Sequence, residues 1–169
     1  MAKGKVSPEL IEQFKQIVGE KYVYTDKDKL EPYSHDEVTD PHYMKEPQVV
    51  VLPATTEEVS KVVKLCYEND TVMVPRAAGT GLAAGAVATF GGVIISIERM
   101  NKILEIDKDN MVCVSEAGVT TSVLQDAVQK EGLFYGGDPC SGDSCFIGGN
   151  VATNAGRSEE RRVGKECLA

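Results

Sequence analysis

Between Pro47 and Gly85 the chain reads as strand, helix, strand and glycine-rich loop, and that order constrains the fold more than any other feature. Val49-Val50-Val51-Leu52 is an unbroken apolar run between Pro47 and Pro53, the pattern of a strand covered on both faces. Thr55 and Glu58 form a capping box, and Val59, Val62, Val63, Cys66 and Tyr67 recur at helical spacing, so a helix follows. Thr71-Val72-Met73-Val74 is a second strand, which delivers the chain into Pro75-Arg76-Ala77-Ala78-Gly79-Thr80-Gly81-Leu82-Ala83-Ala84-Gly85. A strand–helix–strand crossover implies locally parallel pairing. The loop after it offers small residues and outward-facing main-chain N–H groups, which suit a phosphate-bearing ligand.

A second glycine-rich segment, Ile147-Gly148-Gly149-Asn150-Val151-Ala152-Thr153-Asn154-Ala155-Gly156, lies further along. One such loop is a weak signal; two suggest an extended cofactor held along its length. Gly148 and Gly149 would let the backbone approach a ligand, while Asn150, Thr153 and Asn154 supply short polar groups. A tight turn or sheet bend that needs glycine explains the same residues without a ligand. Asp138-Pro139 ahead of Ser141 and Ser144 makes another turn, either structural or closing over the ligand.

Gly79-Thr80-Gly81-Leu82-Ala83-Ala84 satisfies G-x-G-x-x-A after a strand, so a nicotinamide-binding turn has to be weighed. Such a turn should open a long helix, yet Gly85 and Gly91-Gly92 interrupt the region and Val93 already begins a strand. A Walker A loop is disfavoured because no Lys-Ser or Lys-Thr follows the glycines. The preferred reading has N–H groups from Ala78 to Leu82 donating to a diphosphate, with the Thr80 hydroxyl adding to them. Arg76 is either a further phosphate contact or an ion-pair partner at the surface or behind the site.

Elsewhere, Ser7-Pro8 ahead of Leu10, Ile11, Phe14, Ile17 and Val18 predicts an amphipathic helix ending at Gly19. The polar stretch 20–46 is expected to wrap the surface. Short runs at Val93–Ser96, Ile103–Ile106 and Met111–Ser115 are expected to form a second, largely antiparallel layer, with 107–110 as a hairpin connection. Thr120 or Thr121 caps a helix carrying Val123, Leu124, Ala127 and Val128 that ends around Gly132, and the segment from Tyr135 onward is expected to be loop-rich.

At 169 residues and 18.2 kDa the chain can bury one genuine core, and 42% hydrophobic with 26% charged residues argues against disorder. No run approaches the ~18 apolar residues of a membrane span, and the N-terminus lacks the apolar block of a signal peptide, so a cytoplasmic protein is expected. Net charge is −8, which disfavours nucleic acid. The five cysteines form no CxxC pair and the two histidines fit no zinc template, so no metal is expected. From Arg157 to Cys167 the composition switches to a charged string that resembles the conceptual translation of a sequencing-library adapter. The tail 157–169 is therefore expected to be non-native; without its four basic and three acidic residues the charge is −9.

The first loop, Gly137-Asp138-Pro139-Cys140-Ser141 and above all Ile147–Gly156 resemble the FAD-binding domain of the vanillyl-alcohol oxidase or p-cresol methylhydroxylase type. Within it they are most similar to the branch of glycolate oxidase and D-lactate dehydrogenase flavoprotein subunits. The resemblance spans about Ser7 to Gly156 and implies an α+β fold in two lobes, a small βαβ lobe and a larger, mostly antiparallel one, here truncated, with FAD between them. It divides the chain into an N-terminal helix and surface segment (1–46), the FAD-binding domain (47–156) and the tail. It implies that Pro75, Arg76, Ala78, Gly79, Thr80, Gly81, Leu82 and Gly85 hold the diphosphate. Asp138, Pro139, Ser144, Gly148, Gly149, Asn150, Thr153 and Asn154 would line the path from adenosine to isoalloxazine. No histidine lies in the first loop, so FAD should be non-covalent, with a thioether from Cys140 as the remaining alternative. The resemblance also implies a 2-hydroxy-acid dehydrogenase whose catalytic base lies outside this chain, and an electron-transfer flavoprotein as partner. On that reading the polypeptide by itself is an inert FAD-binding piece.

Overall fold

Ser7 accepts a hydrogen bond from the Leu10 amide through its hydroxyl, and Pro8 fills the first helical position, so α1 runs from Pro8 to Val18. The computed structural model describes residues 5–155, which divide into two compact units, one up to Met100 and one from Asn101.

In the first unit, β1 (Val23–Tyr24), α2 (Lys27–Leu30), β2 (Val49–Val51), α3 (Thr56–Glu68), β3 (Met73–Arg76) and β4 (Val93–Ser96) follow α1. The capping box of α3 forms with a small shift: the Thr55 hydroxyl accepts from the Glu58 amide, while the Glu58 carboxylate accepts from the amide of Ala54, one residue before the cap. The sheet order is β1-β2-β4-β3, with β1 antiparallel to β2 and the other pairs parallel. One face packs Val49, Val51, Val93 and Ile95 against Leu10, Phe14 and Val18 of α1 and Val62 and Cys66 of α3. The opposite face sets Val50, Leu52 and Ile94 against Leu30 and Ala88. Each such fully buried aliphatic or aromatic side chain contributes about 1.5–3 kcal/mol. The continuous apolar run at 49–52 is explained by this double coverage.

Two expectations are corrected here. The stretch 20–46 does not merely wrap the surface, because Val23 enters the core opposite Val51, and Leu30 is buried with Val50 and Ile94. Charged neighbours mask these single apolar residues in the sequence. Val93–Ser96 is not part of a second antiparallel layer: β4 inserts between β2 and β3 in parallel register, Val50 opposite Ile94 and Val74 opposite Ile94. All four of its residues are buried, as a central strand requires. Gly92 makes that insertion possible. Its φ is +93, and a Cβ there would overlap the carbonyl of Val72, which accepts from the Val93 amide.

The second unit contains β5 (Ile103–Asp107), β6 (Val112–Ser115), α4 (Thr121–Lys130) and α5 (Ile147–Thr153). β5 and β6 form an antiparallel hairpin, with an irregularity between Ile103 and Glu105. Its connection is tied by Asn110, whose backbone and side-chain amides both donate to the Asp107 carboxylate. Those bonds hold the Asp107 carboxyl below the ordinary carboxylate range. α4 lies where the apolar spacing places it, with Leu124 and Val128 buried, and Thr120 is its cap position. The loop-rich expectation for the closing segment is corrected at 147–153, which is helical. Gly156 and the tail 157–169 lie outside the described residues.

Among the described residues no helix is long and apolar enough to cross a membrane, and no cluster of three or more His, Cys, Asp or Glu could hold a metal ion.

Candidate cofactor site

The first glycine loop leaves the C-terminal end of β3, a parallel strand, at Arg76. Ligands of parallel α/β sheets gather at that end. From Ala78 to Ala86 no backbone N–H finds an acceptor among the described residues, and most of the loop is open to solvent. The Thr80 hydroxyl likewise has no partner among the described residues. A run of unpaired, accessible amides is an anion-binding surface, and each hydrogen bond to a charged acceptor contributes about 1.5–3 kcal/mol.

The glycines of this loop fall into two kinds. Gly79 has φ +75, and a Cβ on it would overlap the Arg76 guanidinium, so the fold itself requires glycine there. Gly81 and Gly85 have no positive φ, and a Cβ on either would meet nothing within 4 Å. Nothing among the described residues demands glycine at those two positions. Close approach of a ligand to the main chain would.

Arg76 is 7% exposed and faces inward. Its guanidinium donates to the carbonyls of His35 (2.8 Å), Ala86 (3.2 Å) and Pro32 (3.2 Å), and it lies 5.5 Å from the Tyr33 ring centroid. Burial lowers the Arg76 pKa, while Tyr33, Asp36 and Glu98 act to raise it. The Tyr33 hydroxyl donates to Glu98 at 3.1 Å, and its pKa is pushed well above the ordinary phenol value, chiefly by burial and then by the Glu98 charge. The Glu37 amide donates to Gly81 O at 3.1 Å, a second tie between the 32–37 segment and the loop. Pro75 is exposed near the C-terminal end of β3, and Leu82 is 79% exposed in the loop. Tyr33, Asp36 and Glu98 were invisible to sequence reasoning, since no spacing links them to Arg76.

Within the second unit, the flagged residues lie on α5 and the turn before it. The Ile147 and Gly148 amides donate to the carbonyls of Val119 and Ala117. Asn150 is 9% exposed, and its side-chain amide donates to Thr121 Oγ1 at 2.7 Å and Cys145 Sγ at 3.3 Å. Thr153 Oγ1 donates to Gly149 O, and Ser144 Oγ to Ser141 O. Pro139 O accepts from the Gly142 amide. Asn154 takes the left-handed conformation that ends α5. Gly149 lies in the body of α5, and Asp138 lies exposed in the segment before it.

The loop at the end of β3 runs into β4 without an intervening helix, which removes the geometry a nicotinamide-binding turn requires. The sequence profile of the FAD binding domain family matches residues 47–167. A D-lactate dehydrogenase of Anaerostipes hadrus is 46% identical over 155 residues, 90% of this chain and 32% of that protein. The glycolate oxidase subunit GlcD of Bacillus subtilis is 40% identical over 124 residues, 73% of this chain and 26% of that protein. Among solved structures, p-cresol methylhydroxylase with substrate bound superposes with a TM-score of 0.66 at 28% identity, covering 74% of this chain and 25% of that one. The chain thus spans about a third or less of the length of the curated relatives it matches. With open amides on its first loop, a mixed sheet beneath them and that profile match, the chain belongs to the FAD binding domain family.

Proposed function

We propose that the chain holds FAD non-covalently, and that it does so as part of a longer enzyme that oxidises a 2-hydroxy acid. The observation that carries the reading is the run from Ala78 to Ala86, where unpaired amides coincide with two glycines the fold does not need. These amides and the Thr80 hydroxyl would donate to the FAD diphosphate. Gly81 and Gly85 would leave the main chain open to the cofactor. In the second unit, Asp138, Pro139, Ser144, Gly148, Gly149, Asn150, Thr153 and Asn154 are proposed to line the rest of the cofactor. Because several of their polar groups are already paired internally, shape is their main contribution.

When bound, FAD supplies the acceptor for hydride from the alpha carbon of the substrate. This chain's residues bind and orient; the base that takes the hydroxyl proton is proposed to lie in the remainder of the longer protein. The relatives' names, D-lactate dehydrogenase and glycolate oxidase subunit, share a 2-hydroxy-acid substrate and support that class. An electron-transfer flavoprotein as acceptor, and a cytoplasmic setting, rest on the family resemblance and the N-terminal sequence alone.

The test is a calorimetric titration of the purified chain with FAD, with NAD as the control ligand. The reading expects a saturable change with FAD and none with NAD. Acid precipitation should then leave the flavin in the supernatant, whereas flavin retained in the pellet would point to Cys140. Adding D-lactate and an artificial electron acceptor should give no turnover with this chain; turnover would overturn the assignment of the catalytic base to residues outside it.

A further inference from the structure

We propose that Arg76 is a positioning residue that braces the cofactor loop from beneath and does not itself contact phosphate. The inference rests on the reading of 78–86 as the diphosphate loop. Three observations converge on it. First, the guanidinium donates three hydrogen bonds to main-chain carbonyls, two from the 32–37 segment and one from Ala86 at the far end of the loop. Second, Gly79 sits directly on the guanidinium, so the turn of the loop is moulded over it. Third, both buried side-chain oxygens that lack a partner among the described residues, Asp36 Oδ2 and Ser96 Oγ, belong to this neighbourhood. Ser96 is the β4 partner of Arg76 in register, and Asp36 follows His35, whose carbonyl Arg76 holds. The Asp36 and Glu98 carboxylates act on this buried cation from the protein side.

A brace and a phosphate contact respond differently to lysine. An ammonium can serve a phosphate as a point charge, but it cannot span three carbonyls set around a planar fork. Arg76→Lys and Arg76→Gln should therefore both lose FAD affinity by tenfold or more, with the ionic-strength dependence of binding unchanged from that of the unsubstituted chain. Without FAD, hydrogen exchange of amides 78–86 should accelerate in both variants while α3 and β4 keep their protection. That selective loosening is something general destabilisation would not produce. Tyr33→Phe keeps the ring and removes the bond to Glu98, and should show the same pattern in milder form, about two- to fivefold, should the Arg76 variants not fold. Retained affinity in Arg76→Lys, or a salt dependence reduced by about one charge in Arg76→Gln, would overturn the brace. Failure of the unsubstituted chain to bind FAD would instead sink the reading of the loop. The exchange comparison of the unliganded variants would still decide whether Arg76 holds it.

Discussion

Two segments of nearly the same composition do opposite things with their polar groups. Along 78–86 the amides find no acceptor among the described residues, whereas Ile147, Gly148 and Asn150 of α5 are bonded to Val119, Ala117, Phe146, Thr121 and Cys145. Glycine content alone therefore does not mark a ligand-facing backbone. What separates the cases is where acceptors stand: the first amides of α5 meet the carbonyls of Val119 and Ala117, while the loop after β3 meets none among the described residues.

Substitutions can break or sharpen that contrast. The largest effect is expected at a glycine that serves the fold. Gly92→Ala combines a positive φ with overlap onto the Val72 carbonyl, and should lower the unfolding free energy by about 3 kcal/mol or prevent folding, as read from chemical denaturation. Next comes Asn150→Ala, which removes the buried amide that donates to the Thr121 hydroxyl and the Cys145 sulfur and should cost about 1–3 kcal/mol in the same assay. Gly81→Ala should leave stability within about 0.5 kcal/mol. Its effect belongs to the ligand, with FAD affinity falling about tenfold, or about 1.4 kcal/mol. Equal affinity in Gly81→Ala and the unsubstituted chain would mean that the loop does not approach the cofactor closely. The smallest change is expected for Thr153→Val on the exposed side of α5, within about 0.5 kcal/mol in stability. A sharp loss of FAD affinity there would move part of the cofactor contact onto the helix.

The strand, helix, strand and loop order from 49 to 85 was legible because periodicity and capping act over a few residues, as Thr55 and Glu58 show. The place of β4 was not, since parallel insertion between β2 and β3 is decided by burial on both faces, which a four-residue apolar run shares with antiparallel strands. The helix at 147–153 was missed because two adjacent glycines argue against helix by propensity, while tertiary bonds to Ala117 and Val119 hold it in place. The candidate loop itself was readable from Gly79-Thr80-Gly81. The ties of Arg76 to the Pro32 and His35 carbonyls depend on chain segments far apart in sequence, and left no local pattern.

The most direct test of the account is amide hydrogen exchange across the whole chain with and without FAD. The account predicts that saturating FAD slows exchange most strongly within residues 78–86. Undiminished exchange through that loop in a chain shown to be saturated with FAD would contradict it.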